Sequence, residues 1–197
     1  MSRLQAIENG LSSINQAAFQ NLCDSFLALR NTNYSAFSRT GSQFGKQKTV
    51  KGTPDTFLIL PNGKYIFVEY STNVSAGVSK LQNDINKCID SDKTRIPLKQ
   101  ISEIILCVNF NLSTSEIQSL KDILVNTRIL LTVYTLDALA IELHLNHRDL
   151  AHEYLNLPLD TGQIVSIGRF IEEYNRASNG ISTSLNNSLA MDIRCFC

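Results

Sequence analysis

The chain has 197 residues, 43% of them hydrophobic, and its 18 Lys and Arg balance its 18 Asp and Glu. This length predicts one domain with a sizeable core. The formal net charge of zero does not indicate a binding partner, so any nucleic-acid surface must be local. No stretch approaches the roughly 20 apolar residues of a membrane span, so we expect no membrane contact. The five cysteines show no paired zinc spacing and predict a reducing, cytoplasmic setting.

Hydrophobic spacing predicts alternating helices and strands. Apolar residues at steps of three and four predict a helix over 4–29, with Gly10 as the candidate break. Two strands within 52–72 follow. The later predicted elements are a helix over 78–90, a strand over 101–110, a helix opened by the capping-box pattern Ser113–Glu116, a strand over 128–135, and helices over 137–145, 148–155 and 162–177. The strands over 101–110 and 128–135 are expected to be buried, and the order predicts an α/β fold with a mixed central sheet flanked by helices.

The turn between the first two strands decides which side chains share a face. It reads "LPNGK" over residues 60–64. A two-residue Asn-Gly turn would pair Pro61 with Lys64, and proline has no N–H to give to that pair. A three-residue loop pairs Leu60 with Lys64 instead, with proline at the first central position of a type I turn and glycine at the left-handed position. We therefore predict the three-residue loop.

This loop places two carboxylates side by side. Counting back along both strands from the pair Leu60–Lys64, which closes the loop, places Asp55 opposite Glu69. The two side chains then share one face, with Cβ atoms roughly 5 Å apart. Two acids this close repel each other unless a cation lies between them, and Mg²⁺ is suited because it takes oxygen ligands. The alternative interpretation is that Asp55 caps a turn and Glu69 ends a solvated strand.

The segment "GTPDTFLILPNGKYIFVEYST" (52–72) combines "TPD", a hairpin and a strand ending in glutamate, and a helix follows it. This pattern resembles the PD-(D/E)xK nuclease superfamily. The resemblance implies a restriction-endonuclease-like fold in which Asp55, Glu69 and the backbone carbonyl of Tyr70 bind a catalytic Mg²⁺ ion, for which Mn²⁺ can substitute. In that superfamily a lysine two residues after the glutamate normally orients the attacking water, but this chain has Ser71 there.

The missing lysine has two candidate replacements. Some members of the superfamily supply the amine from the following helix, where Lys80, Asp84 and Lys87 follow one face at steps of four and three. We assign the catalytic amine to Lys80, for which a solvated helix face is the other interpretation, and keep Lys51, four residues before Asp55, as the alternative amine. Lys87 is interpreted as part of a solvated face.

Two further sets of residues are assigned around this site. In Mrr-like members the first helix also contributes a polar residue, usually glutamate, and "FQNLC" (19–23) offers Gln20 for that position. We assign Gln20 and Ser71 as supporting residues. A basic segment without any acid precedes the Asp55 strand, and because of the neighbouring nuclease-like motif we expect it to contact DNA phosphates. The alternative interpretation of this segment is an ordinary solvated loop. Its members are Arg39, Lys46, Lys48 and Lys51.

A longer likeness covers the chain to about residue 175. The segments "KGTPDTFLILPNGKYIFVEYST", "SKLQNDINKCIDSDKT" and "DLAHEYLNLPLDTGQI" resemble nuclease domains at the N-terminus of bacterial antiviral STAND NTPases. This resemblance implies a Mg²⁺-dependent endonuclease that cuts double-stranded DNA with little sequence preference in anti-phage defence. It also implies a homodimer or higher oligomer, driven by the NTPase and sensor region that follows the nuclease in those proteins.

We expect a nuclease-like core over 1–145, a C-terminal helical extension over 146–177 and a linker-like tail over 178–197. Two other functions stay open. With Ser71 in the lysine position, the chain could be a catalytically inactive nuclease-fold module that binds DNA or a partner protein. It could also be an α/β domain that only oligomerises an attached sensor.

Overall fold

The computed structural model describes residues 1–31, 34, 38–39, 54–72 and 74–158. Within these residues the strands are β1 (Ser38–Arg39), β2 (Thr56–Ile59), β3 (Tyr65–Ser71), β4 (Ile101–Val108) and β5 (Leu130–Tyr134). The helices are α1 (Arg3–Ser13), α2 (Gln16–Arg30), α3 (Gly77–Ile89), α4 (Ser91–Thr94), α5 (Thr114–Asp122), α6 (Leu136–Leu145) and α7 (Arg148–Leu155). The strands follow one another in chain order across one sheet, antiparallel from β1 to β3 and parallel from β3 to β5. The predicted α/β fold with a mixed sheet is confirmed.

Helices cover both faces of the sheet, because β3 and β4 carry apolar side chains on alternate sides. Val68, Tyr70, Ile105 and Cys107 pack against residues of α1, α2, α6 and α7 on one face. Phe67, Ile104, Leu106 and Val108 pack against residues of α3 and α5 on the other. No helix in the described part of the chain combines the length and the apolar character needed to cross a bilayer.

Two expectations about these elements are wrong. The first helical region divides at Ile14, not at Gly10, because the Asn15 side chain accepts a hydrogen bond from the Ala18 N–H and starts a new helix. Gly10 stays helical and allows close packing, since a Cβ there would lie 3.2 Å from Leu155 Cβ. The expected burial of the strand over 128–135 also fails, because β5 is the last described strand of the sheet and Leu130 is 61% exposed.

The start of α5 agrees with the sequence. Ser113 and Glu116 form the predicted capping box at the start of α5. Met1–Leu157 forms one compact unit that includes α7, and Pro158–Cys197 forms a second. The second unit, with the predicted helix over 162–177 and the linker-like tail, lies outside the described residues apart from Pro158.

The turn between β2 and β3 is the predicted three-residue loop. The Leu60 N–H donates to the Lys64 carbonyl at 2.8 Å, and the Gly63 N–H donates to the Leu60 carbonyl at 2.9 Å. Gly63 has φ of +75°, the left-handed conformation that the loop requires. Thr56 consequently pairs with Val68, which is the predicted register.

Gly63 offers a direct test of this turn. Gly63→Ala should lower the free energy of unfolding by about 1 kcal/mol, because a Cβ raises the energy of the left-handed conformation. Apart from its chain neighbours, no described residue has an atom within 4 Å of the added Cβ, so the loss would be backbone strain. Gly63→Asn is the matched control and should lose less, since asparagine tolerates this conformation. Urea denaturation measures both, and equal losses would contradict the explanation.

Candidate active site

The hairpin brings Asp55 and Glu69 together at its open end. The Tyr70 N–H donates to Asp55 Oδ2 at 3.2 Å, which fixes the aspartate beside β3. Each of the two carboxyl groups also influences the pKa of the other. Glu69 is only 8% exposed and faces α3, where the Cys88 thiol donates to its Oε1 atom at 3.3 Å. The sequence-based expectation that the two acids share one face is therefore confirmed.

The surroundings of the pair oppose its ionisation. Burial raises the pKa of Glu69 well above its usual range, and the negative charges of Asp55 and Asp84 raise it further. Burial also raises the pKa of Asp55, although the hydrogen bonds from Tyr70 and Glu69 and the charge of Lys80 oppose the rise. Ionising both carboxyl groups is therefore unfavourable without a nearby cation. With every acid ionised, the charges of Asp55, Glu69 and Asp84 exceed those of Lys80 and Lys87.

The carbonyl of Tyr70 faces the same edge as Asp55. Ser71 directs its carbonyl to β4, where it accepts from the Asn109 N–H at 3.2 Å. Because successive backbone groups along a strand point to opposite sides, the Tyr70 carbonyl points toward β2, as its N–H does. Two carboxyl groups and one backbone carbonyl therefore converge at the end of β3.

A buried polar network supports this strand end from the opposite face of the sheet. The Tyr70 hydroxyl donates to Asp24 Oδ1 in α2. Burial raises the pKa of Tyr70 well above its usual range, so the hydroxyl keeps the proton that it donates. Gln20 Nε2 donates to Thr56 Oγ1 at 3.3 Å, and both residues are buried. Gln20 is thus tied to the residue after Asp55, although a bond to Asp55 itself is not among its described contacts.

Helix α3 brings charged groups to the pair. A short 3-10 turn over Val74–Ala76 follows β3, and Gly77, with φ of +53°, then starts the helix. Lys80 lies in the first turn, and its Nζ donates to Asp84 Oδ2 at 2.7 Å. Lys87 Nζ donates to the other oxygen, Oδ1, at 2.9 Å, and the Lys87 side chain is 35% exposed.

Asp84 is the site residue that sequence reasoning left without a role. It is 7% exposed, although it lies between two lysines on the helix. The spacing of Lys80, Asp84 and Lys87 was the available signal, but such spacing is also typical of a solvated face. Only the position of α3 against β3 shows that this face is turned to Glu69.

Ser71 occupies the position where the superfamily has its lysine. It lies two residues beyond Glu69 and hence on the same face of β3. Its side chain is 3% exposed, and the Oγ atom has no hydrogen-bond partner among the described residues. A buried hydroxyl without such a partner can donate a hydrogen bond to a group that enters the site, or accept one from it.

The residues present fit a hard divalent cation. Carboxylate and carbonyl oxygens are the ligands that Mg²⁺ prefers, and a cation would offset the charge that the buried Glu69 carboxylate and its acidic neighbours carry. The described residues contain no group of three or more His, Cys, Asp or Glu side chains placed to hold a metal ion. An ion bound here would be held by Asp55, Glu69 and the Tyr70 carbonyl, with water completing its coordination.

The basic segment assigned to DNA falls mostly outside the described residues. Arg39 belongs to β1, next to Thr56 of β2, but its side chain is not described. Lys46, Lys48 and Lys51 all lie outside the described residues. Their assignment to phosphate contacts, and that of Lys51 as the alternative amine, stay predictions.

Glu69→Gln should stabilise the metal-free protein. An acid whose pKa is raised by folding costs stability as pH rises from its ordinary value of about 4.3 toward the raised value. We expect the variant to gain about 1 kcal/mol or more in the free energy of unfolding at pH 8, since one pKa unit is worth about 1.4 kcal/mol. At pH 4 parent and variant should converge. Denaturant unfolding in EDTA at both pH values measures this, and a pH-independent difference would contradict it.

The chain matches no family model, no curated protein and no solved structure.

Proposed function

We propose that this chain is a Mg²⁺-dependent endonuclease with a restriction-endonuclease-like core of the PD-(D/E)xK type. The observation that carries the proposal is the Asp55–Glu69 pair, in which Glu69 is buried against α3, Asp55 is half-buried and the pKa of each carboxyl group is raised. Such a pair of acids with raised pKa values is costly for stability and is typical of functional sites. The Tyr70 carbonyl and the Lys80 amine beside the pair complete the groups that such chemistry needs.

Each residue has a distinct role in this proposal. Asp55, Glu69 and the Tyr70 carbonyl would hold the cation, which, when bound, lowers the pKa of water and polarises phosphate oxygens. Lys80 would orient the attacking water or stabilise the negative charge that develops on the phosphate. Ser71 Oγ would hydrogen-bond to a water or phosphate oxygen in the site.

We propose double-stranded DNA as substrate, cut with little sequence preference, with phosphate contacts from Arg39, Lys46, Lys48 and Lys51. In the setting that the sequence resemblance implies, the chain acts in the cytoplasm as an effector of anti-phage defence. It would work as a homodimer or higher oligomer assembled by an NTPase and sensor region.

A plasmid assay tests the proposal. Supercoiled plasmid is incubated with the protein in Mg²⁺, Mn²⁺ or EDTA, with matched double-stranded RNA as the second substrate. Nicking or linearisation of DNA in either metal, but not in EDTA, would support the proposal. Artificial dimerisation through a fused coiled coil should be included, because the activity of the proposed effector depends on assembly.

One observation favours a second function. Ser71 replaces the usual lysine, and Lys80 Nζ is engaged by Asp84. If no lysine amine reaches the attacking water, the fold would bind DNA without cutting it. A mobility shift of DNA without cleavage in any metal, also in the dimerised protein, would select this function.

A further inference from the structure

Asp84 fixes two lysines on the face of α3 that meets the carboxylate pair. One carboxylate oxygen accepts from Lys80 Nζ at 2.7 Å, and the other accepts from Lys87 Nζ at 2.9 Å. The Asp84 side chain is 10% exposed, whereas those of Lys80 and Lys87 are 34% and 35% exposed. A buried carboxylate thus holds two ammonium groups that still reach solvent.

Each lysine acts on the carboxylate pair electrostatically. Burial raises the pKa of Asp55, and the charge of Lys80 opposes that rise. The hydrogen bond to Asp84 raises the pKa of Lys87, and the charge of Glu69 adds to the effect. The two amines are therefore part of the same charged site as the carboxyl groups.

Asp84 itself is not arranged as a metal ligand. Both of its oxygens accept hydrogen bonds from lysine, and no group of three acids in the described part of the chain is placed to hold an ion. Its described contacts are instead those of a residue that orients its neighbours. Two charge-assisted bonds to one buried carboxylate fix both flexible lysine side chains.

The charges of the site match a phosphate once the proposed cation is present. A divalent cation neutralises Asp55 and Glu69, which leaves two lysines against the single charge of Asp84. The remaining positive charge equals the negative charge of one backbone phosphodiester. The unpartnered Ser71 Oγ, buried on the same face of β3, independently points to a ligand with oxygen atoms at this place.

Building on the proposed function, we infer that Asp84 is a positioning residue that holds Lys80 for catalysis and Lys87 as a binding group for a backbone phosphate of the nucleic acid. The two lysines thereby have separable roles. Lys80 acts in the rate of cleavage, and Lys87 acts in the affinity for the substrate.

The test measures affinity and rate separately. Fluorescence anisotropy of a labelled DNA duplex in EDTA gives Kd at several salt concentrations, and single-turnover cleavage in Mg²⁺ or Mn²⁺ gives the rate. Lys87→Gln should weaken binding of all sequences and lower the slope of log K against log salt by about 1. Asp84→Asn should bind DNA at least as tightly as the parent yet cleave about 10²-fold more slowly, because Lys80 is no longer fixed.

Controls separate positioning from loss of fold. Asp84→Glu retains an acceptor and should recover part of the rate, while Lys121→Gln on α5 should change neither quantity. Thermal unfolding checks that each variant is folded. An unchanged salt slope in Lys87→Gln, or a cleavage rate within twofold of the parent in Asp84→Asn, would overturn the inference.

The affinity measurement also separates this inference from the proposed function. If the parent protein cleaves nothing with any metal, the nuclease proposal fails, yet the anisotropy measurement still applies. Weaker binding by Lys87→Gln and unweakened binding by Asp84→Asn would then support the phosphate site in a binding module. Equal binding by parent and Lys87→Gln would reject it.

Discussion

Asp55→Asn and Glu69→Gln should each lower DNA cleavage in Mg²⁺ by at least about 10³-fold, because a bound cation contributes several kcal/mol to such a reaction. Each change removes one of the two charged ligands and keeps the shape of the side chain. The amide oxygen at position 55 can still accept from the Tyr70 N–H, which lies 3.2 Å from Asp55 Oδ2. The loss would therefore report on charge and coordination, not on the hairpin.

Initial rates on supercoiled plasmid, together with Mn²⁺ affinity from calorimetry, measure this effect. Asp122→Asn on α5 is the matched control, since its carboxylate accepts from Gln118 within the described part of the chain and an amide oxygen can do the same. Glu69→Gln should combine lost cleavage with the gain in metal-free stability described above. A variant that cleaves at the parent rate, or parent cleavage that persists in EDTA, would refute the metal site.

Lys80→Met should reduce the cleavage rate by about 10²–10⁴-fold, the usual contribution of a proton-transfer or water-orienting group. DNA and metal affinity should stay close to those of the parent, because the carboxyl pair and Lys87 are retained. The left-handed Gly77 turns α3 back so that Lys80, in its first turn, acts electrostatically on Asp55. The methionine side chain preserves most of the lysine's apolar volume, so packing should be little changed.

Single-turnover rates for Lys80→Met, Lys51→Met and the control Lys121→Met compare the two candidate amines. Near-parent cleavage by Lys80→Met, with an inactive Lys51→Met, would place the amine before the hairpin. Near-parent cleavage by both variants would show that neither Lys80 nor Lys51 takes part in the reaction.

The hairpin register was predictable from sequence because one residue type excluded the competing turn. Proline has no N–H to close a two-residue loop, and a glycine stands where the alternative loop needs a positive φ. The position of Asp55 opposite Glu69 follows from this register alone. Local chemistry over five residues therefore decided which side chains meet at the site.

Contacts between distant elements were not predictable in the same way. The spacing of Lys80, Asp84 and Lys87 is the same for a solvated helix face and for one that meets a strand end. Gln20 gives no sequence signal of its burial, because that burial depends on how α2 crosses β2. Even Gly10, a residue that disfavours helices, stays helical, since Leu155 packs where a side chain would be.

The packing of α7 against α1 and α2 has a practical consequence for making shorter fragments of the protein. Leu150 and Ala151 are buried in the same core as Ile7 and Leu11, and the Tyr154 hydroxyl hydrogen-bonds to Ser25 Oγ at 2.9 Å. A fragment cut at residue 145 would expose this apolar surface to water. Protein made for crystallisation or assay should therefore extend at least through Leu157, where the first compact unit ends.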